Sequence, residues 1–398
     1  MKQARNFAYI TFADLVARSA YQMGKTPLLP IFAASVGATG ALLGFIVSVS
    51  TLTGLVLKPV IGIFSDRWGR RSWLILGTLF FAVMPFLYRF VQSPEQLFAI
   101  RLVHGLATAI YGPVTLAYVA EQSQNRRAEK LGWFGMARSA GYIVGPAAAG
   151  WLLLTMDPVG VFTIIGLASS LVFIPVLLLS DSTLPLKTQR MPVRLQITEA
   201  LRAGSRTPAV WLSGGLEAAV YIALYAVKAF LPIYALSIGI NVALVGAFFA
   251  VQEAVHMVLK PSGGRIGDRW GYRWAIGLGM LLLGIALPLL TLPEGGFGLL
   301  SLSALMGVGQ ALIFPSTVAF VSAQISGKHI GAGMGLIGTL DNAGKVIGPI
   351  LGGFLIQRFE YTVTFQVLGA MLIISAILVW GWAQLSRGSR RGRVEVSV

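Results

Sequence analysis

The sequence predicts an all-α membrane protein of twelve transmembrane helices in two pseudo-symmetric six-helix bundles. Three observations predict it. The composition suits a chain solvated by lipid, positive charge is confined to alternate loops, and the second half of the chain repeats the first.

Composition comes first. Of 398 residues, 56% are hydrophobic and 12% charged, and the mean hydropathy is +0.76. A soluble domain carries roughly 25% charged residues, so a single water-soluble core is excluded. Spanning a ~30 Å hydrocarbon layer takes about 20 residues of helix. Apolar runs fall near 7–32, 40–63, 73–91, 96–120, 130–154, 159–180, 209–236, 241–263, 273–292, 297–322, 329–356 and 362–385, and are called spans 1 to 12 below. They are continuous, whereas a β-barrel needs in–out alternation. The first run is too long for a signal peptide and reads as span 1. The 47 glycines suit close helix contacts in lipid, and the absence of cysteine excludes disulfides and thiolate chemistry.

Charge then orients the spans. One set of loops and ends holds 21 Lys and Arg, from Lys2 and Arg5 through Arg67, Arg70 and Arg71 to Arg393. The opposite loops hold two, Arg89 and Arg358. Basic loops stay in the cytoplasm, so both termini are expected there, with the protein multi-pass in the cell membrane. The +16 net charge is thus a topology signal and an attraction to anionic membrane lipids. Scattered over short loops, it gives no nucleic-acid surface. The expected domains are a six-helix bundle at 1–180, a basic cytoplasmic linker at 181–208, a second bundle at 209–385 and a basic tail at 386–398. Within the linker, Pro192–Gly204 reads as a basic tether or as an amphipathic surface helix.

The repeat is direct. LKPVIGIFSDRWGRR at 57–71 matches LKPSGGRIGDRWGYR at 259–273 at nine of fifteen positions, an offset of 202. The same offset pairs Pro30 with Pro232, Gly105 with Gly307, Pro113 with Pro315 and Thr115 with Thr317. One residue further, Gly145–Pro146 pairs with Gly348–Pro349. Parallel six-helix repeats place a solute site near mid-membrane between the halves.

These motifs resemble the major facilitator superfamily across nearly the whole chain. Gly62-x-x-x-Asp66-Arg67-x-Gly69-Arg70-Arg71 is similar to that family's loop between helices 2 and 3, and recurs as Gly264, Asp268, Arg269, Gly271 and Arg273. Arg101-x-x-His104-Gly105 resembles the helix 4 motif, with His where Gln is usual. Gly132, Gly141, Gly145, Pro146 and Gly150 resemble the helix 5 motif of the twelve-helix drug–proton antiporter branch. Gly335, Gly344, Gly348 and Pro349 repeat it in helix 11. The resemblance implies a monomeric, proton-coupled exporter of small organic or drug-like solutes that works by alternating access. Proton-linked or facilitated transport of an organic anion, sugar or other metabolite is the alternative. It implies no cofactor beyond a proton gradient.

Physical reasoning assigns the roles. The two Asp-containing loops, with Glu121 as a partner for Arg67 or Arg70, are expected to form a cytoplasmic gate. Gly141, Gly145, Pro146, Gly344, Gly348 and Pro349 are expected to admit close packing and a hinge. A charge at mid-bilayer costs roughly 3 kcal/mol unless paired or hydrated, so charges inside spans mark function. Proton coupling needs a carboxylate whose ionisation responds to a changing cavity. The candidates are Glu253, then Asp14 and Glu217, then Asp341. Arg18, Tyr21, Gln22, Arg101, His104, Tyr111, Arg138, Tyr221, His256 and Lys345 are expected to line the substrate cavity. No His-Glu-x-x-His or Gly-x-Ser-x-Gly pattern occurs, which argues against an enzyme.

Overall fold

A computed structural model describes residues 2–122, 127–180, 207–292, 295–324 and 330–395. Side chains at 2, 63, 66–68, 127–128, 330–332 and 383–395 stand outside that description. The linker, apart from its last two residues, lies outside the described residues, as do the side chains of the basic tail.

Lipid offers backbone N–H and C=O groups no partner, so an apolar run must satisfy them within itself. The described chain answers with helices. Span 1 is Lys2–Lys25 followed, after a break at Thr26–Pro27, by Leu28–Ser35. Spans 2 to 5 are Gly40–Trp68, Arg70–Leu87, Pro94–Gln122 and Arg127–Leu152. Span 6 is Pro158–Ser170 and Phe173–Leu177. Spans 7 to 10 are Pro208–Ser237, Val242–Trp270, Tyr272–Leu289 and Gly296–Ser322. Spans 11 and 12 run as Ile330–Glu395, parted by a kink at Glu360, where φ is 64°.

Among the described residues, nine helices are long and apolar enough to cross a membrane. The kinked helix holds two spans, and span 1 and span 5, rich in small and polar residues besides their charges, fall outside this count. That restores the twelve expected. Prolines sit inside eight of the single-span helices or their repeats without ending them, including Pro59 and Pro261, Pro113 and Pro315, and Pro146 and Pro349.

The chain divides by contacts into two compact units. The first holds Met1–Thr188, Tyr225–Ala250 and Lys345–Gln357; the second holds Gln189–Leu224, Val251–Gly344 and Arg358–Val398. The core of the first is built around Ile10, Ala17, Phe81, Tyr111, Tyr118 and Phe134. Its ends remote from the basic loops meet through glycine. A side chain at Gly40 would strike Gln357, one at Gly44 the Pro349 carbonyl, and one at Gly150 the backbone of Gly246. In the second unit, Gly279 lies on Gly309 and Gly284 on Gly369. Such contacts, rather than apolar burial alone, hold helices together in lipid.

The duplication is visible in backbone angles. Gly69 and Gly271 end spans 2 and 8 at φ 85°, ψ 136° and φ 98°, ψ 137°, and each opens the next helix within one residue. A side chain resists this conformation at a cost of about 1–3 kcal/mol. Gly69→Val and Gly271→Val should each lower the melting temperature of the detergent-solubilised protein by several degrees. Gly132→Ala, in a helix with open space around it, should leave it unchanged or raised.

Candidate functional site

In the first unit, charge is held by side chains from spans 1, 4 and 5. Arg138 grips Asp14 with two bonds, Nε to Oδ2 at 3.0 Å and Nη2 to Oδ1 at 2.9 Å. Arg138 Nη2 also donates to Thr115 Oγ1 at 2.8 Å, and Arg18 stands 3.8 Å from Asp14. Asp14 is 1% exposed, so this is a buried bidentate pair with a second cation beside it. Its geometry depends on glycine: a side chain at Gly141 would strike Arg18 and Ser19, and one at Gly145 would strike Gln22 and Met23. Spans 1 and 5 therefore touch backbone to backbone, and Arg138 reaches across one turn away.

A second cluster lies further along span 1. Tyr21 Oη and Ser50 Oγ are 3.1 Å apart, and Arg101 donates to Ser50 at 2.5 Å and to Tyr88 at 3.3 Å. A side chain at Gly105 would meet Thr53 and Ser50, so spans 2 and 4 approach closely enough for Arg101, one turn away, to reach Ser50. His104 Nδ1 lies 3.1 Å from Tyr88 Oη. Tyr111 is a core residue, with its hydroxyl 2.7 Å from Thr78 and its ring edge-on to Phe81. It packs in the core of the bundle. Gln22 is likewise buried, against Gly145.

In the second unit, two of the acids lie against a hydroxyl and an imidazole. Glu217 accepts from Thr317 Oγ1 in a short hydrogen bond. Glu253 Oε1 lies 3.4 Å from His256 Nδ1. Phe314 joins these pairs, stacking on Tyr221 at 5.1 Å and meeting His256 at 5.5 Å. Spans 7 and 11 cross where a side chain at Gly214 would strike Leu340 and one at Gly344 would strike Ala218. Glu217 and Asp341 stand beside those contacts in sequence. Gly348 and Pro349 are buried, and the helix runs through both.

At the basic loops, Arg70 Nε donates to Glu121 at 2.6 Å, one of the two pairings expected for that acid. Arg71 caps the end of span 6 through the Leu177 carbonyl at 2.7 Å. Gly62 and Gly264 are helical, and the side chains of Asp66 and Arg67 lie outside the described residues. The second loop is built differently. Asp268 accepts from Tyr272 at 3.0 Å, Arg269 is exposed, and Arg273 stacks 3.8 Å over Trp382. Tyr272 occupies the repeat position of Arg70, and Ala323 that of Glu121. The Arg70–Glu121 latch therefore exists in the first copy alone.

Several participants carried no charge signal in the sequence. Ser50, Thr51 and Tyr88 anchor the charged groups, yet each reads as an ordinary polar residue in an apolar run. Thr115 and Thr317 were legible as a repeat pair, and their shared role at an acid emerges only from the fold.

Apolar spans in two repeated bundles, with ionised side chains held inside them, define a multi-pass membrane transporter of small solutes. Residues 16–255 and 215–396 match the Major Facilitator Superfamily, and the chain belongs to that family. It is 25% identical to an uncharacterised MFS-type transporter of Methanocaldococcus jannaschii over 83% of this chain and 86% of that one. It is 24% identical to Multidrug resistance protein 1 of Bacillus subtilis, over 89% and 91% of the two chains. A crystal structure of the nucleoside transporter NupG superposes with a TM-score of 0.80 at 13% identity, covering 94% of this chain and 98% of that one. That last likeness is one of fold. Transport, and not catalysis, is the business of this family.

Removing one partner of a buried pair strands the other at a cost of about 3–5 kcal/mol. Asp14→Asn and Arg138→Gln should each lower thermal stability markedly. The double variant should lose less than the two single losses together, by roughly 1–3 kcal/mol. Additive losses would show that the two groups act apart.

Proposed function

We propose that the protein is a proton-coupled exporter of small organic or drug-like solutes, working by alternating access. The observation that carries the reading is the way the two copies differ at one helix crossing. In the first copy an acid, Asp14, meets a base, Arg138, in a bidentate structural pair. In the second copy an acid, Asp341, stands at the repeat position of Arg138, and Glu217 lies one residue from that of Asp14. A carboxylate can couple protons to transport where its ionisation responds to a cavity that changes shape, and that role is proposed for the acids of spans 7, 8 and 11. Glu253, part-exposed and beside His256, supplies a third acid one contact away through Phe314. Of the four acids named from the sequence, Asp14 is the least suited to carry a proton, because the Arg138 fork opposes its neutral form.

Relatives named for multidrug resistance support the exporter direction. The basic loops support cytoplasmic termini. Glycine contacts at the ends remote from those loops close the first unit there, as a transporter does when its outer gate is shut. The Arg70–Glu121 pair is suited to the opposite gate, and the glycines of spans 5 and 11 to the hinge. The cell membrane is the proposed location, and a monomer the proposed state.

The test is efflux from proteoliposomes across a panel of drug-like solutes, with and without an imposed pH gradient. The wild type should accelerate when the gradient drives protons inward. Flux by Glu253→Gln or Glu217→Gln should fall to the level seen without a gradient, while solute exchange at equal pH survives. If every variant, Asp341→Asn included, keeps its gradient-driven rate, the proton sites lie elsewhere. A wild type indifferent to the gradient would refute proton coupling itself.

A further inference from the structure

Two cations of the first unit end on one turn of span 2. Arg101 Nη2 donates to Ser50 Oγ at 2.5 Å, and Lys25 Nζ donates to Thr51 Oγ1 at 3.5 Å. Arg101 is 1% exposed and Lys25 8%. All their partners are neutral. Arg101 also bonds Tyr88 and stands 5.9 Å from the centre of the Tyr21 ring. Lys25 lies 4.9 Å from the centre of the Tyr225 ring, and Lys228 adds another ammonium 5.1 Å from that same ring.

Among the described residues, no carboxylate pairs with Lys25 or Arg101. The buried acid nearest them along span 1, Asp14, is taken by Arg138 and Arg18, and Glu121 is taken by Arg70. Two further groups here are buried and unpartnered, Arg101 Nε and His104 Nε2. His104 packs edge-on to Tyr21 at 5.6 Å, so its vacant nitrogen belongs to the same cluster. Thr51, Tyr225 and Lys228 are part-exposed, and the cluster is not sealed.

Buried cations without a counter-ion are costly, and an arriving anion removes that cost. An arginine fork fits a carboxylate, a lysine adds a point charge, and tyrosine faces accept an aromatic ring. We propose that Lys25, Arg101 and Tyr225 form a subsite for the carboxylate of an aryl acid, so that the solutes carried include amphiphilic organic anions. This rests on the reading of the chain as an exporter of small organic solutes, and narrows it.

The experiment uses the full chain in nanodiscs and one ring at three charges: benzoate, benzamide and benzylammonium. Calorimetric titration should show benzoate binding about tenfold or more tighter than benzamide, with benzylammonium weakest. Lys25→Gln should erase most of that preference, and Lys25→Arg should keep it. Arg101→Gln should act alike if it folds; if it does not, Lys25→Gln decides, since its side chain makes a single long hydrogen bond. Equal affinity for benzoate and benzamide, no binding of benzoate, or a full preference in Lys25→Gln would each overturn the subsite. Flux measured in parallel separates the two ideas. Benzoate preference without any gradient-driven transport would sink the exporter reading alone. Gradient-driven transport of neutral solutes without that preference would sink the subsite alone.

Discussion

A bilayer offers no water to polar groups, and the rest of this structure follows from that shortage. Backbone groups meet it by folding into helices, which is why continuous apolar runs predict the spans so directly. Side chains meet it pairwise. Asp14 is tolerable inside span 1 because Arg138 crosses from span 5 to hold it, and the crossing is possible because Gly141 and Gly145 have no side chains to keep the helices apart. Sequence, packing and electrostatics are thus one arrangement: small residues permit contact, and contact permits charge. Gly105 does the same service for Arg101 and Ser50.

The two copies have kept their scaffold and diverged in their charges. Gly69 and Gly271 share a backbone conformation to within about 13° in φ, and prolines recur at matching places in several spans. Over that common frame, Arg138 became the counterpart of Asp341, Arg70 of Tyr272, and Glu121 of Ala323. Identical halves would have equal latches and equal ion pairs, and would respond to protonation alike. The divergence gives the first copy the Asp14–Arg138 and Arg70–Glu121 pairs, and the second copy acids set against Thr317 and His256. A rigid partner and a responsive partner would suit the proposed coupling.

How much of this was legible in advance depends on the range of the interaction. Span number, the duplicated loops and the deep charges were all readable, since each leaves a local trace in composition or spacing. The pairing of Arg70 with Glu121 was only half legible, because it depends on which face of a helix turns toward span 4. Tyr111 was expected in a cavity and stands in the core; an aromatic residue in an apolar run carries no mark of which side it will face. The break in span 1 was hidden for a different reason. Thr26–Pro27 lies inside an apolar run, and proline inside a membrane helix is as often tolerated as disruptive; Pro59 and Pro146 leave their helices whole. The neutral anchors Ser50, Thr51 and Tyr88 stayed unmarked because hydroxyl groups can also satisfy themselves on their own helix.

The placement of the proposed anion subsite bears on how coupling would be driven. The acids proposed to carry protons, Glu217, Glu253 and Asp341, fall in the second unit, and Lys25 and Arg101 belong to the first. A solute anion leaving the cell against an entering proton moves charge in the same electrical sense twice. Each charge crossing the membrane is worth about 2.3 kcal/mol per 100 mV, so potential and pH gradient would both drive export of an acid. A cationic solute exchanged for one proton would draw on the pH gradient alone. Retaining Lys25 and Arg101 in neutral surroundings, at a standing cost to the folded state, is intelligible if the anion that relieves it is the cargo.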